Sequence, residues 1–312
     1  MCNEVMLSVV MTTYNHARYL AEAIESVLMQ RTSFGVELVI GEDRSTDNTR
    51  AIAKEYVERY PERIRLITSA ENVGMRANYR RTIEAARGRY IALLDGDDYF
   101  TDPDKLQHQV EMLERDPSLG MCYTRSERID ERGVVRIYPE GACTTDFESM
   151  LRRNPAENAT VVARRELVMR YYAEVRPEER PEWLTDDLPM WLWFGANSRV
   201  GAIERTMAVH RVLSYSVSHS PDYRRKLRFC ASLYDIALWY DERYNNSRLR
   251  YELWRARENE ALWLLSYNGS VSEYVMRWRE GLRCEPRLVR NLAAYVLFAK
   301  KIAWRMWQKP KR

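Results

Sequence analysis

The sequence has few of the features that mark secreted, membrane-spanning or zinc-bound proteins. Its five cysteines are scattered over 312 residues, and no pair has the C-x-x-C spacing of a metal or redox site. We therefore expect reduced thiols, as in a cytosolic protein. No apolar run approaches the ~18 residues that cross a bilayer. The start "MCNEVMLSVVMTTYN" lacks the basic segment and long apolar core of a signal peptide.

Two nucleotide-binding fingerprints and a strong net charge are also missing. Neither G-x-x-x-x-G-K-[ST] nor G-x-G-x-x-G occurs, which excludes the usual P-loop and the usual dinucleotide-binding turn. The net charge of +4 is modest, and no recognised binding module accompanies the basic residues, so we do not expect a nucleic-acid partner. With 46% apolar and 30% charged residues, the chain has the composition of a globular protein.

The first hundred residues alternate short apolar runs with helical patterns. Apolar runs predict buried strands at 6–13, 36–42, 64–68 and 90–94, and helical spacing recurs at 20–28, 45–60 and 76–87. Continuous apolar strands separated by helices indicate a parallel sheet that is covered on both faces. Further on, we predict a helix at 104–115, a strand at 120–125 and a hairpin turn at 131–133.

The character of the chain changes near residue 220. From there to the C-terminus, long helical patterns rich in Arg, Trp and Tyr replace the alternation of strands and helices. We therefore predict an α/β domain over residues 1–220 and an α-helical extension over residues 221–312.

Three polar clusters follow predicted strands: "TTYN" (12–15), "EDRS" (42–45) and "DGDD" (95–98). Open parallel sheets bind ligands at the carboxyl ends of their strands, so three clusters there indicate a site. Carboxylates suit Mg²⁺ or Mn²⁺, which often bridge to substrate phosphates, and Asp95, Asp97 and Asp98 are the candidate ligands. By itself, however, the acidic turn is also a plausible strand-to-helix connection, since Asp-Gly is a common turn dipeptide and Asp102 and Asp104 would cap the next helix.

Four segments, in this order, resemble the inverting family 2 glycosyltransferases: "SVVMTTYNHARYLAEAIESVLMQ", "GEDRSTDNT", "NVGMRANYRR" and "GRYIALLDGDDYF". The resemblance spans the first hundred residues and extends more weakly to about residue 220. It implies the GT-A fold, a Rossmann-like α/β sheet that binds a nucleotide-diphosphate sugar.

The resemblance also implies roles for particular residues. Asp95 and Asp97 match the D-x-D motif, which contacts the ribose and the metal on the diphosphate, and Asp98 would add a ligand or support one. Asp43 matches the acid that hydrogen-bonds the base. Because the family usually has Gly after that acid and this chain has Arg44, we expect a differently shaped loop. The remaining matches line or close over the nucleotide: Thr12, Tyr14, Asn15, Asn72, Gly74 and Arg80.

An inverting transfer also needs a general base for the acceptor hydroxyl. In "PEWLTDDLPMW" (181–191), Asp187 resembles the family's base because an apolar run with Pro and Trp follows it, and Asp186 is the second choice. The alternative is a pair of acids at a helix N-terminus. Arg211 matches a residue that faces the diphosphate, but Leu213 stands where the family has His. We expect His210 and His219 to be surface or satisfied histidines.

The C-terminal segment 290–312 combines apolar residues at helical spacing with a basic end, and no acid follows Glu285. It predicts either a helix that lies on an anionic membrane or one packed on the catalytic domain.

Together these observations predict a metal-dependent glycosyltransferase that uses Mn²⁺ or Mg²⁺ and a UDP-linked sugar. Its acceptor would be a lipid-linked or cell-envelope glycan, and its location the cytoplasm or the inner face of the cell membrane. Two alternatives are a nucleotidyltransferase and a non-catalytic module that binds sugar nucleotides or a partner. The segment "TTYNHARY" does not resemble the phosphate loop of a nucleotidyltransferase.

Overall fold

The computed structural model describes residues 5–213 and 222–307, which divide into two compact units. The described part of the first unit comprises residues 5–181 and 190–213, and that of the second comprises residues 182–189 and 222–307. The domain boundary that we expect near residue 220 lies outside the described residues and stays a prediction.

The amino-terminal half of the first unit alternates strands and helices, as the apolar periodicity predicts. Strands β1 and β4 are buried over most of their length because helices cover both faces of the sheet. The elements are β1 (Val5–Thr13), α1 (Leu20–Leu28), β2 (Gly35–Glu42), α2 (Thr49–Arg59), β3 (Ile64–Thr68), α3 (Met75–Ala85) and β4 (Tyr90–Asp95).

These four strands are parallel and lie in the order β3-β2-β1-β4. Thr12 of β1 is paired with Gly41 of β2 on one side and with Asp95 of β4 on the other. The three strands therefore end at the same edge of the sheet. The polar clusters that follow them are neighbours, as the sequence analysis predicts.

Beyond β4 the sheet does not stay parallel. Strand β8 is antiparallel to β4 and β6, β9 is parallel to β6, and β5 is antiparallel to β9. The predicted hairpin is confirmed as β6–β7. The elements are β5 (Tyr99–Phe100), α4 (Lys105–Arg115), β6 (Leu119–Asp130), β7 (Val135–Tyr138), α5 (Phe147–Arg152), β8 (Val161–Arg164), α6 (Arg165–Val175), α7 (Asp187–Asn197) and β9 (Arg199–Val212).

The mixed half of the sheet brings late parts of the chain to the acidic turn. Strand β9 pairs with β5, which directly follows that turn, so that Val209 lies opposite Tyr99. A short 3₁₀ turn (Asn158–Thr160) precedes β8, the neighbour of β4. Residues 157–158 and 210–211 consequently lie beside residues 95–98.

The second unit is helical: α8 (Tyr223–Tyr244), α9 (Arg250–Asn268), α10 (Val271–Cys284) and α11 (Leu292–Trp307). Its core joins α9, α10 and α11 through Leu262, Leu265, Tyr274 and Ala294. Within residues 5–213 and 222–307, no helix is long and apolar enough to cross a membrane.

Helix α11 has one packed face and one exposed face. Ala294 is buried in the core, and the Lys301 ammonium donates hydrogen bonds to the carbonyls of Leu265 and Ser266 at 2.7 and 3.0 Å. The apolar positions that the sequence aligns on one side of this helix are instead largely exposed, with Leu292 at 77% and Val296 at 53%.

Candidate functional site

The acidic turn leaves β4 at Asp95 and folds back over the end of β1. The Asp98 N–H donates to the Asp95 carbonyl at 3.0 Å, and the Gly96 N–H donates to the Thr12 carbonyl at 2.8 Å. A Cβ atom on Gly96 would lie 2.7 Å from the Thr13 hydroxyl and 3.1 Å from His16 Nδ1. Glycine at this position therefore permits a close approach between the turn and the β1 loop.

Asp95 is oriented by one hydrogen bond on each carboxylate oxygen. The Thr12 hydroxyl donates to Oδ1 at 2.8 Å, and the Asn158 side-chain amide donates to Oδ2 at 3.0 Å. Burial, and secondarily the charge of Asp97, raises the pKa of Asp95 above its usual value. Thr12, near the end of β1, thus helps to orient the first carboxylate of the acidic turn.

Asp97 retains some exposure, at 19% of its side chain, and lies in polar surroundings. His16 Nδ1 is 3.8 Å from its Oδ1. Burial, and then the charge of Asp98, raises the pKa of Asp97. Nearby, the Thr13 hydroxyl and His16 Nδ1 are buried and have no hydrogen-bond partner among the described residues.

Asp98 is 1% exposed and contacts strand β9. Its Oδ1 accepts the Arg211 N–H at 2.8 Å, and its Oδ2 lies 3.0 Å from His210 Nδ1. Burial would lower the pKa of His210, but Asp98 and Glu157 outweigh that effect and raise it to about 10. His210 is therefore a satisfied histidine, which is one of the two outcomes that we expected for it.

A complete metal cage is not present in residues 5–213 and 222–307, where no three His, Cys, Asp or Glu side chains converge on a common point. A divalent cation that takes most of its ligands from water and phosphate does not need one. Asp97, with the unsatisfied polar atoms of Thr13 and His16 beside it, fits such a cation.

The second polar cluster is occupied by the loop that precedes α3. The Asp43 carboxylate is 2% exposed and accepts the N–H groups of Val73 and Gly74 at 2.8 and 2.9 Å. Gly74 has φ +85°, a conformation that side-chain-bearing residues rarely adopt. The Asn72 amide donates to the Asp43 carbonyl at 3.0 Å. Asp43 and Asn72 thus hold this loop against the end of β2.

Arg44 has a left-handed backbone conformation. Its φ is +58°, in the left-handed region that favours Gly, and its guanidinium donates to the Ala70 carbonyl at 2.6 Å. Our expectation that this loop differs in shape from that of the family stays a prediction.

Asn15 connects the loops that follow β1 and β2. Its side-chain oxygen accepts the Thr46 N–H at 2.8 Å, and its own N–H donates to the Ser45 hydroxyl at 3.0 Å. Tyr14, beside it, is 43% exposed. The aromatic ring is therefore available at the sheet edge where the polar clusters meet.

Arg80 and Arg81 lie on different sides of α3. Arg80 forms ion pairs with Glu84 and Glu178. Arg81 donates to the Glu42 carbonyl at 2.9 Å and lies 3.9 Å from Asp43. Of these two arginines, Arg81 is thus the one next to the second polar cluster.

The two candidate bases belong to the second unit. Asp187 begins α7, and its Oδ1 accepts the Leu188 N–H at 2.7 Å and the Thr185 hydroxyl. Asp186 directly precedes it. These contacts are those of an acid at a helix N-terminus, which was the alternative to a catalytic base and does not exclude one.

Arg211 binds the acidic turn through its main chain and its side chain. Its guanidinium donates to the Asp97 carbonyl, pairs with Glu22 at 2.5 Å and lies 4.6 Å from the Tyr99 ring centroid. His219, in contrast, lies outside the described residues.

The sequence analysis missed His16, Asn158 and Glu157. His16 stands inside the quoted segment "TTYNHARY", so its position after the first strand was a usable signal. Residues 157–158 have no such signal, because only strand pairing beyond residue 100 brings them to the turn.

Comparisons with known proteins can now be set beside this geometry. The sequence pattern of the family described as "Glycosyl transferase family 2" matches residues 8–166. An uncharacterized protein of Mycobacterium tuberculosis, Rv1520, is 34% identical over 226 residues, which are 69% of this chain and 61% of the relative. The chain thus spans less than two thirds of the length of this curated relative.

Two solved structures share the fold. The crystal structure of S. aureus TarS 1-349 in complex with UDP has a TM-score of 0.57 at 16% identity, covering 98% of this chain and 93% of TarS. The mannosyltransferase PcManGT from Pyrobaculum calidifontis, in complex with GDP-Man and Mn²⁺, has a TM-score of 0.55 at 16% identity, covering 99% and 89%. The likeness identifies the α/β architecture as that of the GT-A glycosyltransferases.

The contacts of Asp43 predict the effect of its amide variant. Asp43→Asn replaces one accepting oxygen with an NH₂ group that faces an N–H donor, so the loop should detach more often. We expect amide hydrogen exchange at Val73 and Gly74 to accelerate about 10-fold or more, since an unsatisfied buried group costs about 1–3 kcal/mol. Glu71→Gln removes the same charge from an exposed side chain nearby and should leave exchange unchanged. Equal exchange in both variants would contradict the anchoring role of Asp43.

Proposed function

The chain belongs to glycosyl transferase family 2, and from that premise we propose that it moves a sugar from a nucleotide-diphosphate donor to an acceptor hydroxyl with the help of a divalent cation. The observation that carries this proposal is the acidic turn at the carboxyl edge of the sheet, held by Thr12 and Asn158 through Asp95. Transfer would occur in one displacement and invert the anomeric centre, as the family resemblance implies.

The nucleoside would bind where the loops after β1, β2 and β3 meet. We propose that the exposed ring of Tyr14 contacts the nucleoside base. The walls of the pocket would be formed by Asn15, Asp43, Asn72 and Gly74. UDP is our proposed carrier, in keeping with the UDP complex of TarS. The family resemblance makes Arg80 a candidate for contact with the nucleotide. Because Arg80 is paired with Glu84 and Glu178, we propose Arg81 for that contact instead.

The cation, Mn²⁺ or Mg²⁺, would be held by Asp97 together with Asp95. When bound, it would offset the charge that develops on the departing diphosphate. Thr13 and His16 have buried polar atoms that can donate to, or accept from, its water or phosphate ligands. Asp98 and Arg211 would then act by holding the turn in place, because their polar atoms are already engaged there.

Asp187 would accept the proton of the acceptor hydroxyl as that oxygen attacks the sugar. Its contact with the Thr185 hydroxyl and the Leu188 N–H fixes one carboxylate oxygen and thereby orients the group. Asp186 is the second candidate for the same role.

Donor binding is tested by a thermal-shift panel of UDP-, GDP-, dTDP- and CMP-sugars, each with Mn²⁺ and with EDTA. A saturating donor should raise the melting temperature by a few degrees, because ligand that binds only the folded state stabilises it. Asp97→Asn should abolish the metal-dependent part of the shift, whereas Asp104→Asn, an equal charge change at the start of α4, should preserve it. An unchanged shift in Asp97→Asn would remove Asp97 from the cation site.

Catalysis is tested by release of the nucleoside diphosphate from the donor that gives the largest shift. We expect Asp187→Asn to lower this turnover about 10²- to 10⁴-fold, the usual contribution of a general base, with an unchanged thermal shift. Asp186→Asn is the matched variant, one residue away, and should retain most of the turnover. The reverse pattern would assign the base to Asp186, and full turnover in both variants would place it elsewhere.

We further propose that the helical unit docks on the inner face of the cell membrane, close to a lipid-linked or cell-envelope glycan acceptor. Residues 222–312 contain 20 Lys and Arg against 10 Asp and Glu. The exposed apolar face of α11 continues into Trp263 of α9, because Trp263 and Val296 line one groove of about 600 Å³. A basic surface with exposed apolar and aromatic groups suits an anionic bilayer interface.

This docking predicts that the protein sediments with vesicles that contain anionic phosphatidylglycerol and not with vesicles of phosphatidylcholine alone. Val296→Asp should weaken sedimentation about 10-fold, since it puts a charge among the groups that enter the interface. Ile137→Asp, at a similarly exposed apolar position of the first unit, should have no effect. Equal sedimentation of both variants would contradict a docking face on α11.

A further inference from the structure

Asp98 is held by two consecutive residues of strand β9. Both of its carboxylate oxygens are used there: one accepts the Arg211 N–H at 2.8 Å and the other lies 3.0 Å from His210 Nδ1. Its own N–H closes the turn on the Asp95 carbonyl at 3.0 Å. The last residue of the turn is thus held in place through both its side chain and its main chain.

His210 has a carboxylate on each side of its ring. Nδ1 lies next to Asp98, and Nε2 lies 3.9 Å from Glu157. Glu157 is buried and is itself held by the Ser126 hydroxyl and by Arg128 Nε at 2.5 Å. The imidazole is therefore held between the turn and the segment that precedes β8.

Asn158, the residue after Glu157, also binds the acidic turn. Asn158 donates to Asp95 at 3.0 Å, at the other end of the same turn. The first carboxylate of the turn is thereby fixed by residue 158, and the last by His210, which residue 157 supports. Asp97 stands between these two fixed ends with its side chain partly exposed.

We propose that His210 is a positioning residue whose Nδ1–H···Asp98 hydrogen bond fixes the acidic turn so that the Asp97 carboxylate is presented to the donor's cation. This inference rests on the proposed metal-dependent donor binding. Without the bond, Asp98 would keep a buried charge with one donor fewer, and the turn would rearrange to bring it water or another partner. Because Asp97 is adjacent in sequence, its carboxylate would move with that rearrangement.

Two amide variants separate the hydrogen bond to Asp98 from the other properties of the ring. In His210→Asn the side-chain NH₂ occupies approximately the place of Nδ1 and can donate to Asp98. In His210→Gln the NH₂ reaches approximately the place of Nε2, next to Glu157. Both variants are neutral and polar, so they change the charge of the ring equally. His108→Gln, on α4, is the control for the loss of a partly buried histidine.

The measurement is the affinity for Mn²⁺ in the presence of UDP and, in parallel, of GDP, followed by the electron paramagnetic resonance signal of free Mn²⁺. We expect His210→Gln to weaken Mn²⁺ binding at least 10-fold, while His210→Asn and His108→Gln stay within about threefold of the wild type. Nucleotide affinity in EDTA should be the same in all four proteins, which a general loss of fold would not give.

Wild-type Mn²⁺ affinity in His210→Gln, or equal weakening in both His210 variants, would overturn the role of the Nδ1 bond. If the wild type itself binds no Mn²⁺ with either nucleotide, the metal-dependent function fails, and the positioning role fails with it. If His210→Gln does not fold, Asp98→Asn takes its place, because its amide keeps one accepting oxygen and turns an NH₂ group toward one of the two N–H donors that Asp98 binds. At least 10-fold weaker Mn²⁺ binding in that variant would support the positioning role of this contact, and unweakened binding would overturn it.

Discussion

The turn at residues 95–98 depends on neutralising carboxylates that repel one another and have lost much of their water. Removing an ion from water costs several kcal/mol even after the protein relaxes. Asp98 is offset by His210 and the Arg211 N–H, and Asp95 by Thr12 and Asn158. These donors come from three distant parts of the chain. The turn is therefore a product of the folded sheet, and its local sequence alone would not keep it.

The sheet can deliver those donors because its two halves are built differently. Parallel pairing of β1, β2 and β4 ends three strands at one edge, so that short polar loops meet there without long connections. The antiparallel and parallel pairings beyond β4 then return β8 and β9 to the same edge from later in the chain. The first half supplies the polar clusters at the sheet edge, and the second half supplies the groups that fix the acidic turn.

Periodicity and resemblance predicted the parallel half well, because buried strands there read as continuous apolar runs and the polar clusters mark their ends. They could not predict contacts between residues far apart in the chain, or which of two adjacent helical residues faces a given neighbour. Nothing in "PAENAT" indicates that Asn158 reaches Asp95, since that contact follows from the antiparallel entry of β8. Which of Arg80 and Arg81 lies next to Asp43 depends on the orientation of α3, since the side chains of adjacent helical residues point in directions that differ by about 100°.

The adjacency of Glu157 and Asn158 limits how the length of this part of the chain can vary. One of these residues supports His210 and the other binds Asp95, so both ends of a four-residue turn depend on two consecutive positions. Inserting or deleting a residue between or next to them would shift one contact out of register even if both side chains were kept. Changes of length should therefore be tolerated in the exposed hairpin tip at residues 131–134, and not in the segment that leads into β8.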